Sequence, residues 1–312
     1  MIGFDIGGTK CAVSVGEERD GGLRILDKRV MATDLGVPPT VMIERMCAAA
    51  EEMTDDFSRI GISCGGPLAS ARGVILSPPN LPGWDEVEIV KMLTERYGGE
   101  VHLQNDANAC ALAEWRYGAG KGCNSMIFLT FGSGLGAGLI LDGRLYEGAN
   151  GMAGEVGHIR LSDFGPVGYG KRGSFEGFCS GNGIASLGRM LAEEALQCGH
   201  GVSYCSCGAE LPSVTAKKIA ECAKAGHADA MRVYEICGEK LGTGLSILID
   251  VLNPDRIVIG SVFQRSGELL IPSMRRVLER ETLGLSLFAC EVVPAALEEN
   301  IGDYAALSCA TL

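Results

Sequence analysis

The sequence has no apolar run of the roughly 18 residues that a membrane-spanning helix needs. Residues 1–15 carry Asp5 and no basic amino-terminal cluster, so a secretion signal is not expected. Basic residues are in the minority, 27 Lys and Arg against 39 Asp and Glu, which gives a net charge of −12. This balance argues against nucleic acid or an acidic membrane as partner. We expect a soluble, unprocessed protein.

A disulfide framework is also not expected, because the thirteen cysteines are an odd number and many lie in apolar periodic runs. This pattern predicts a reducing, cytoplasmic location. Glycine is abundant, 45 of 312 residues, but has no Gly-X-Y period, so the excess belongs to turns and close-approach loops. The length favours two domains.

Two glycine-rich strand–turn–strand segments, residues 3–13 and 128–140, organise the chain. Placing Asp5 on Thr130 aligns them at an offset of 125 residues and suggests two copies of one βββαβα unit. We predict an α/β protein with the ribonuclease-H-like, actin-like ATPase fold, two similar domains around a central cleft. The predicted domains are 1–118, joined by a carboxy-terminal helix 296–312, and 119–295.

Local signals predict several element ends. A helix begins near Thr40, which is a plausible cap, and Asp85 with Glu88 resembles a capping pair for a helix that ends at Gly98. Strands are expected at Val101–Leu103, which leads into Asp106, and at Arg256–Ile259.

Consecutive glycines in a hairpin turn allow backbone N–H groups to surround a phosphate. Thr9 adds a hydroxyl donor, and Asp5 just before the turn can hold Mg²⁺ directly or through water. For a single such motif, an ordinary tight turn that merely requires glycine is the alternative to a phosphate site. The second segment, Gly132–Ala137, also fits a dinucleotide fingerprint, but Leu139–Gly143 continues as a strand into a turn, whereas that fold requires a helix.

Asp106 lies where a strand gives way to a helix. Its ordinary role there is a helix N-cap; its functional role is a general base that accepts a hydroxyl proton during phosphoryl transfer. The two roles are compatible. Glu155 and His158 lie on a glycine-framed loop and can bind vicinal hydroxyls, although an isolated histidine is more often structural.

Four motifs then stand in order, residues 5–10, 80–84, 105–109 and 153–158. Together they resemble the ROK family of sugar kinases and sugar-responsive repressors, over nearly the whole chain. The resemblance implies ATP and Mg²⁺ as cofactors and Asp106 as the base on the sugar's 6-hydroxyl. The Mg²⁺ would be held by Asp5 through water. Residues implied in sugar binding are Gly66, Asn80, Asn105, Asp106, Glu155, His158 and Glu176. Residues implied in nucleotide binding are Asp5, Gly7, Gly8, Thr9, Lys10, Thr130, Gly132, Ser133, Gly134, Gly136 and Gly260, although the family's paired glycine is Gly260–Ser261 here.

The sequence departs from the family's zinc signature, C-x-C-G-x-x-G-C-x-E. Val167, Tyr169 and Ser174 replace all three cysteines, while the glycines and Glu176 persist. A single histidine cannot supply the four ligands of structural zinc, so we predict no structural zinc and a sugar contact for His158. Cys198, His200, Cys205 and Cys207 offer an alternative ligand set, but its spacing is unlike common zinc motifs.

The predicted function is an ATP-dependent hexose kinase acting on a primary hydroxyl of glucose or a relative. Rivals are an N-acetylhexosamine or β-glucoside kinase, a non-catalytic sugar sensor, and an actin-like ATPase without a sugar. The resemblance implies a homodimer. Repressor members carry a DNA-binding module before the kinase-like part, and this sequence begins at the first strand, so none is expected.

Overall fold

The computed structural model describes residues 1–312, which divide into two compact units. One contains residues 1–123, 138–153 and 296–312, and the other contains residues 124–137 and 154–295. This division differs from the predicted domains chiefly in residues 138–153, which belong to the first unit. The reason is close packing at Gly138, where a Cβ atom would lie 2.4 Å from the Ala107 carbonyl oxygen.

The first unit is built on a mixed sheet with strand order β3-β2-β1-β4-β7. Strands β1 and β2 form an antiparallel hairpin, and β1, β4 and β7 run parallel. Their bounds are β1 Ile2–Ile6, β2 Lys10–Arg19, β3 Gly22–Ala32, β4 Arg59–Cys64 and β7 Glu100–Asn105, with the short pair β5 Leu68–Ala69 and β6 Val74–Ile75 outside this sheet.

Glycines in β1 and β4 allow helix α10 (Ile301–Cys309) to pack directly on the strands. A Cβ at Gly3 would lie 2.8 Å from the Leu307 backbone nitrogen, and one at Gly61 would lie 2.0 Å from the Ala306 carbonyl oxygen. The apolar side chains of helix α1 (Pro39–Glu51), such as Met42, join the same buried cluster as those of β1. The central strand is therefore buried on both faces, which suits a parallel sheet.

The second sheet repeats this topology, with strand order β10-β9-β8-β13-β14. Its strands are β8 Met126–Leu129, β9 Ala137–Leu141, β10 Arg144–Leu145, β13 Arg256–Ile259 and β14 Glu291–Pro294. The predicted hairpin turn at Asp142–Gly143 is confirmed: both residues have positive φ, 51° and 71°. A separate two-stranded hairpin is formed by β11 (Val167–Gly168) and β12 (Lys171–Arg172).

Two of the predicted helix caps are wrong. Thr40 lies inside α1, which begins after Pro38, and the Asp85–Glu88 pair caps nothing, because Asp85 accepts a hydrogen bond from the Ser77 hydroxyl instead. The predicted end at Gly98, with φ 71°, is confirmed. The other bounds are α2 Ile89–Tyr97, α3 Asp106–Tyr117, α4 Phe175–Phe178, α5 Gly181–Gln197, α6 Ala216–Lys224, α7 Ala228–Leu252, α8 Val262–Glu281 and α9 Gly284–Ala289.

None of these helices combines the length and the apolar character needed to cross a lipid bilayer.

Candidate functional site

Three loops of the first unit meet at one edge of its sheet, where the parallel strands β1, β4 and β7 end. Asp5 lies opposite Ser63, and Cys64 lies opposite Asn105. Because parallel strands present their carboxyl ends at the same edge, the register brings the β1 turn close to the β7–α3 junction.

The Gly7–Gly8–Thr9 turn joins β1 to β2. The Gly7 N–H donates to the Lys10 carbonyl oxygen at 3.1 Å, and the Thr33 hydroxyl donates to the Gly7 carbonyl oxygen at 2.6 Å. A Cβ at Gly8 would lie 2.3 Å from the Asn80 carbonyl oxygen. Only glycine therefore fits beneath the Asn80 loop, and two predicted site segments lie in contact.

Asp5 lies at this edge, where it is largely buried and two other carboxylates, those of Asp303 and Asp106, act on it. Burial, followed by the negative charges of Asp303 and Asp106, raises the pKa of Asp5 from 3.8 to about 6. Lys10 and Lys28 oppose this shift by favouring the charged form. The site therefore has an excess of acidic oxygen atoms, the kind of ligand that Mg²⁺ prefers.

Asp106 occupies the first helical position of α3 and is exposed. The cap of this helix is Asn105, whose side-chain oxygen accepts from the Ala107 N–H at 2.9 Å. The alternative interpretation of Asp106 as the N-cap is wrong. An Asp106 carboxylate oxygen also accepts from the Ala107 N–H at 2.9 Å, which helps to fix its orientation.

The Gly65–Gly66 segment follows β4 and lies beside this junction. A Cβ at Gly65 would lie 4.0 Å from an Asp106 carboxylate oxygen, and one at Gly66 would lie 3.2 Å from the Asn105 side-chain nitrogen. The predicted residues Gly66, Asn105 and Asp106 are thus neighbours in the structure.

Glu147 is an acidic residue near this junction that the sequence analysis missed. Its carboxylate accepts from the Ser70 hydroxyl at 2.5 Å and from the Gln104 side-chain amide at 3.1 Å. Gln104 in turn accepts from the Asn108 amide at 3.3 Å. The only available signal was the position of Glu147 before the glycine-rich stretch from Gly148.

The second unit contains the other predicted phosphate loop, between β8 and β9. The Gly136 N–H donates to the Thr130 hydroxyl at 2.9 Å, and the Thr130 N–H donates to the Gly136 carbonyl oxygen at 3.0 Å. These bonds close the loop at its base. Ser133 is exposed at its tip. After the loop the chain continues as β9, as the sequence context predicted, rather than as the helix of a dinucleotide fold.

Two helix amino termini border Gly132 of this loop. The Gly181 N–H at the start of α5 donates to the Gly132 carbonyl oxygen at 2.7 Å, and a Cβ at Gly132 would lie 4.0 Å from the Ser261 hydroxyl, at the cap of α8. Ser261 has φ 56° and forms a capping box with Gln264. Serine thus adopts here a backbone conformation that normally favours glycine, beside the predicted residue Gly260.

Glu176 links this loop to the Glu155–His158 segment. Its carboxylate accepts from the Leu135 N–H at 3.1 Å and would lie 2.8 Å from a Cβ at Gly134. A Cβ at Gly157 would lie 2.2 Å from the Leu135 carbonyl oxygen. The second unit therefore brings together Gly134, Glu176 and the turn that carries Glu155 and His158.

The residues at the positions of the zinc signature do not fit a zinc ion. Val167 and Tyr169 are exposed and carry no metal-binding atom of the kind zinc selects, and Ser174 is buried with its hydroxyl used to cap α4. No group of three or more His, Cys, Asp or Glu side chains is arranged to hold a metal ion, and Cys198 to Cys207 form no such group.

The chain is similar to known proteins along nearly its whole length. The sequence profile of the ROK family matches residues 1–310. A glucokinase of Thermotoga maritima is 29% identical over 311 residues, 99% of this chain and 96% of that protein. A xylose repressor of Caldicellulosiruptor bescii is 27% identical over 92% of this chain and 68% of its own length.

Among solved structures, a ROK family glucokinase from Streptomyces griseus in complex with glucose and AMPPNP superposes with a TM-score of 0.74. The two sequences are 30% identical, and the match covers 98% of this chain and 97% of that one. With a family match along almost its whole length and an actin-like ATPase fold built from two repeated sheets, the chain belongs to the ROK family.

Proposed function

We propose that this chain is an ATP-dependent sugar kinase that transfers the γ-phosphate to a primary hydroxyl of glucose or a related hexose. The observation that carries the proposal is the position of Asp106. Asn105 already caps α3, and the exposed Asp106 carboxylate lies at the sheet edge that also holds Asp5 and the Gly7–Gly8 turn.

Asp106 is the proposed general base. Its carboxylate accepts the proton of the sugar hydroxyl while the hydroxyl oxygen attacks the γ-phosphorus. The bond from the Ala107 N–H holds the carboxylate in place, which limits the reorientation needed when the substrate arrives.

The two glycine loops are the proposed phosphate contacts. One is the turn of Gly7, Gly8, Thr9 and Lys10 in the first unit, and the other is the loop of Thr130, Gly132, Ser133, Gly134 and Gly136 in the second. Gly260, directly after β13, is a further proposed contact. The helix amino termini beside Gly132 present N–H groups and a positive dipole end, which favour an anion. The ATP analogue named in the Streptomyces griseus glucokinase complex supports ATP as the nucleotide.

The donor set of the first unit fits Mg²⁺, which Asp5 would hold through water. Burial, followed by the negative charges of Asp303 and Asp106, raises the pKa of Asp5, and a divalent cation would offset the part that is due to repulsion. When bound, the ion would offset negative charge on the phosphates.

The proposed sugar contacts are Gly66, Asn80 and Asn105 in the first unit and Glu155, His158 and Glu176 in the second. Glucose in the Streptomyces griseus complex supports a hexose as ligand. A homodimer stays a prediction from the family resemblance, and a cytoplasmic location stays a prediction from the cysteine pattern.

Two alternatives have specific support. An N-acetylhexosamine or β-glucoside kinase would use the same base and loops and would differ only around the ring substituents. A non-catalytic sugar-binding regulator is favoured by the similarity to the xylose repressor. The presence of Asp106 favours a kinase over the regulator, because sugar binding alone needs no base.

Release of ADP, measured in a coupled assay with and without added sugar, tests the proposal. The panel should contain hexoses, amino sugars and disaccharides. We expect ADP release that depends on a hexose. Release without any sugar would indicate an ATPase, and sugar binding without ADP release would indicate the regulator.

A further inference from the structure

Tyr169 lies at the tip of the β11–β12 hairpin, where the family's zinc signature has its second cysteine. It is 72% exposed and has φ 43°, followed by Gly170 with φ 75°. A bulky aromatic residue rarely adopts this backbone conformation, since its Cβ is crowded there. Such an outlier on an exposed turn calls for a functional explanation.

The Tyr169 ring touches the imidazole of His158. The two ring centroids are 5.3 Å apart and the planes are perpendicular, which is the favourable edge-to-face arrangement of aromatic rings. The unfavourable backbone conformation of Tyr169 therefore occurs in the turn that places its ring against His158.

Lys171, two residues along the same hairpin, holds the backbone of the same histidine. Its ammonium group donates to the His158 carbonyl oxygen at 2.7 Å. The hairpin thus contacts both the side-chain ring and the main-chain carbonyl group of His158.

Ser174, at the third lost cysteine position, connects the hairpin to the start of α4, the helix that contains Glu176. Its buried hydroxyl accepts from the Gly177 N–H at 3.1 Å and lies 3.5 Å from the Gly168 carbonyl oxygen. The Phe175 N–H also donates to the Ile159 carbonyl oxygen at 2.8 Å, one residue after His158. Hydrogen bonds and one ring contact therefore connect the hairpin, the His158 loop and the start of α4, where Glu176 lies.

We propose that the β11–β12 hairpin is a metal-free clamp that positions His158 for the sugar, with Tyr169 and Lys171 as its positioning residues. The inference rests on the proposed sugar contact of His158. In this chain a phenol ring and an ammonium group hold the loop that a zinc ion would otherwise have to organise.

Three measurements on the purified full chain test the clamp. The first is its zinc content after incubation with zinc and dialysis. The second is the NMR resonance of the His158 ring, which can be assigned among four histidines by its loss in His158→Gln. The third is the Kd for glucose. The variants are Tyr169→Ala, Tyr169→Phe and Lys171→Met, and the matched control is Phe164→Ala, an aromatic residue 79% exposed just before the hairpin.

We expect no stoichiometric zinc. Tyr169→Ala and Lys171→Met should each shift the His158 resonance and weaken glucose binding about tenfold. Tyr169→Phe should restore both properties, because the ring contact remains, and Phe164→Ala should change neither.

Stoichiometric zinc that is lost in His158→Gln would overturn the clamp. So would an unchanged His158 resonance in Tyr169→Ala, or an unchanged glucose Kd in that variant when the wild type binds glucose. Failure of the wild type to bind any sugar would count against the proposed function instead, while the zinc content and the NMR signal would still decide the state of the hairpin.

Discussion

Asp5 is a single residue of the candidate site whose ionisation lowers the free energy of unfolding. Its pKa is raised from 3.8 to about 6 by burial first and by Asp303 and Asp106 next. Between these values the folded state binds more protons than the unfolded state, so the free energy of unfolding falls as pH rises. Above about pH 6 the loss is complete, and the folded protein carries an unfavourable carboxylate.

Asp5→Asn should therefore remove this loss. In metal-free protein we expect the variant to gain about 3 kcal/mol of unfolding free energy over wild type above pH 6, and much less near pH 4. Urea denaturation at about pH 4 and about pH 8 measures the difference. Asp20→Asn, at a fully exposed turn of the same unit, is the control and should give no such pH-dependent gain. A gain that is equal at both pH values would contradict the assigned cause.

Gly8 illustrates steric rather than electrostatic constraint. In Gly8→Ala the new methyl group would lie 2.3 Å from the Asn80 carbonyl oxygen, so the turn or the Asn80 loop must move. We expect a loss of about 1–3 kcal/mol in stability and weaker ATP binding, measured by denaturation and calorimetry. Gly208→Ala, with no atom within 4 Å of the added carbon, should be close to neutral. Normal ATP affinity in Gly8→Ala would argue against this turn as a phosphate contact.

Glu114 links elements rather than contributing to the candidate site. This fully buried residue near the end of α3 accepts from the N–H groups of Ala119, Ala296 and Leu297 at 2.7, 2.9 and 2.9 Å. These hydrogen bonds tie the end of α3 to the segment before α10.

Removing this carboxylate leaves buried N–H groups without an acceptor. Glu114→Ala should lower the free energy of unfolding by about 3 kcal/mol, measured by urea denaturation. Glu95→Ala, an exposed position on α2, should change it by less than about 0.5 kcal/mol. Equal effects of the two substitutions would show that the three backbone bonds are not important for stability.

The elements that could be predicted from sequence are those fixed by local patterns. Strand β13 has the predicted bounds, and α2 ends at Gly98, because apolar runs and glycine at positive φ act locally. Caps depend on the path of the preceding chain, which is why Thr40 and the Asp85–Glu88 pair were assigned wrongly. Glu147 could not be found because its partners Ser70 and Gln104 are distant in sequence.

At the scale of the whole molecule, the repeated strand order explains why a 125-residue offset is visible in the sequence. Each copy places a hairpin, β1–β2 or β8–β9, at the centre of its sheet with a glycine-rich turn at the end of the first strand. The same topology thus produces two glycine-rich turns, the proposed phosphate contacts, from one pattern. The carboxylate at the end of β1 has a hydroxyl, Thr130, as its counterpart after β8, so the two turns have become chemically different.

The central claim is that Asp106 enables transfer of phosphate to a sugar hydroxyl. ³¹P NMR of a mixture of the protein, Mg-ATP and glucose follows the γ-phosphate directly, with wild type and Asp106→Asn compared at equal ATP occupancy. We predict a sugar phosphate monoester at a primary carbon with wild type, and a rate lower by at least about 10²-fold with Asp106→Asn despite intact ATP binding. Inorganic phosphate as the only product, or an equal rate of sugar phosphorylation by the variant, would contradict the account.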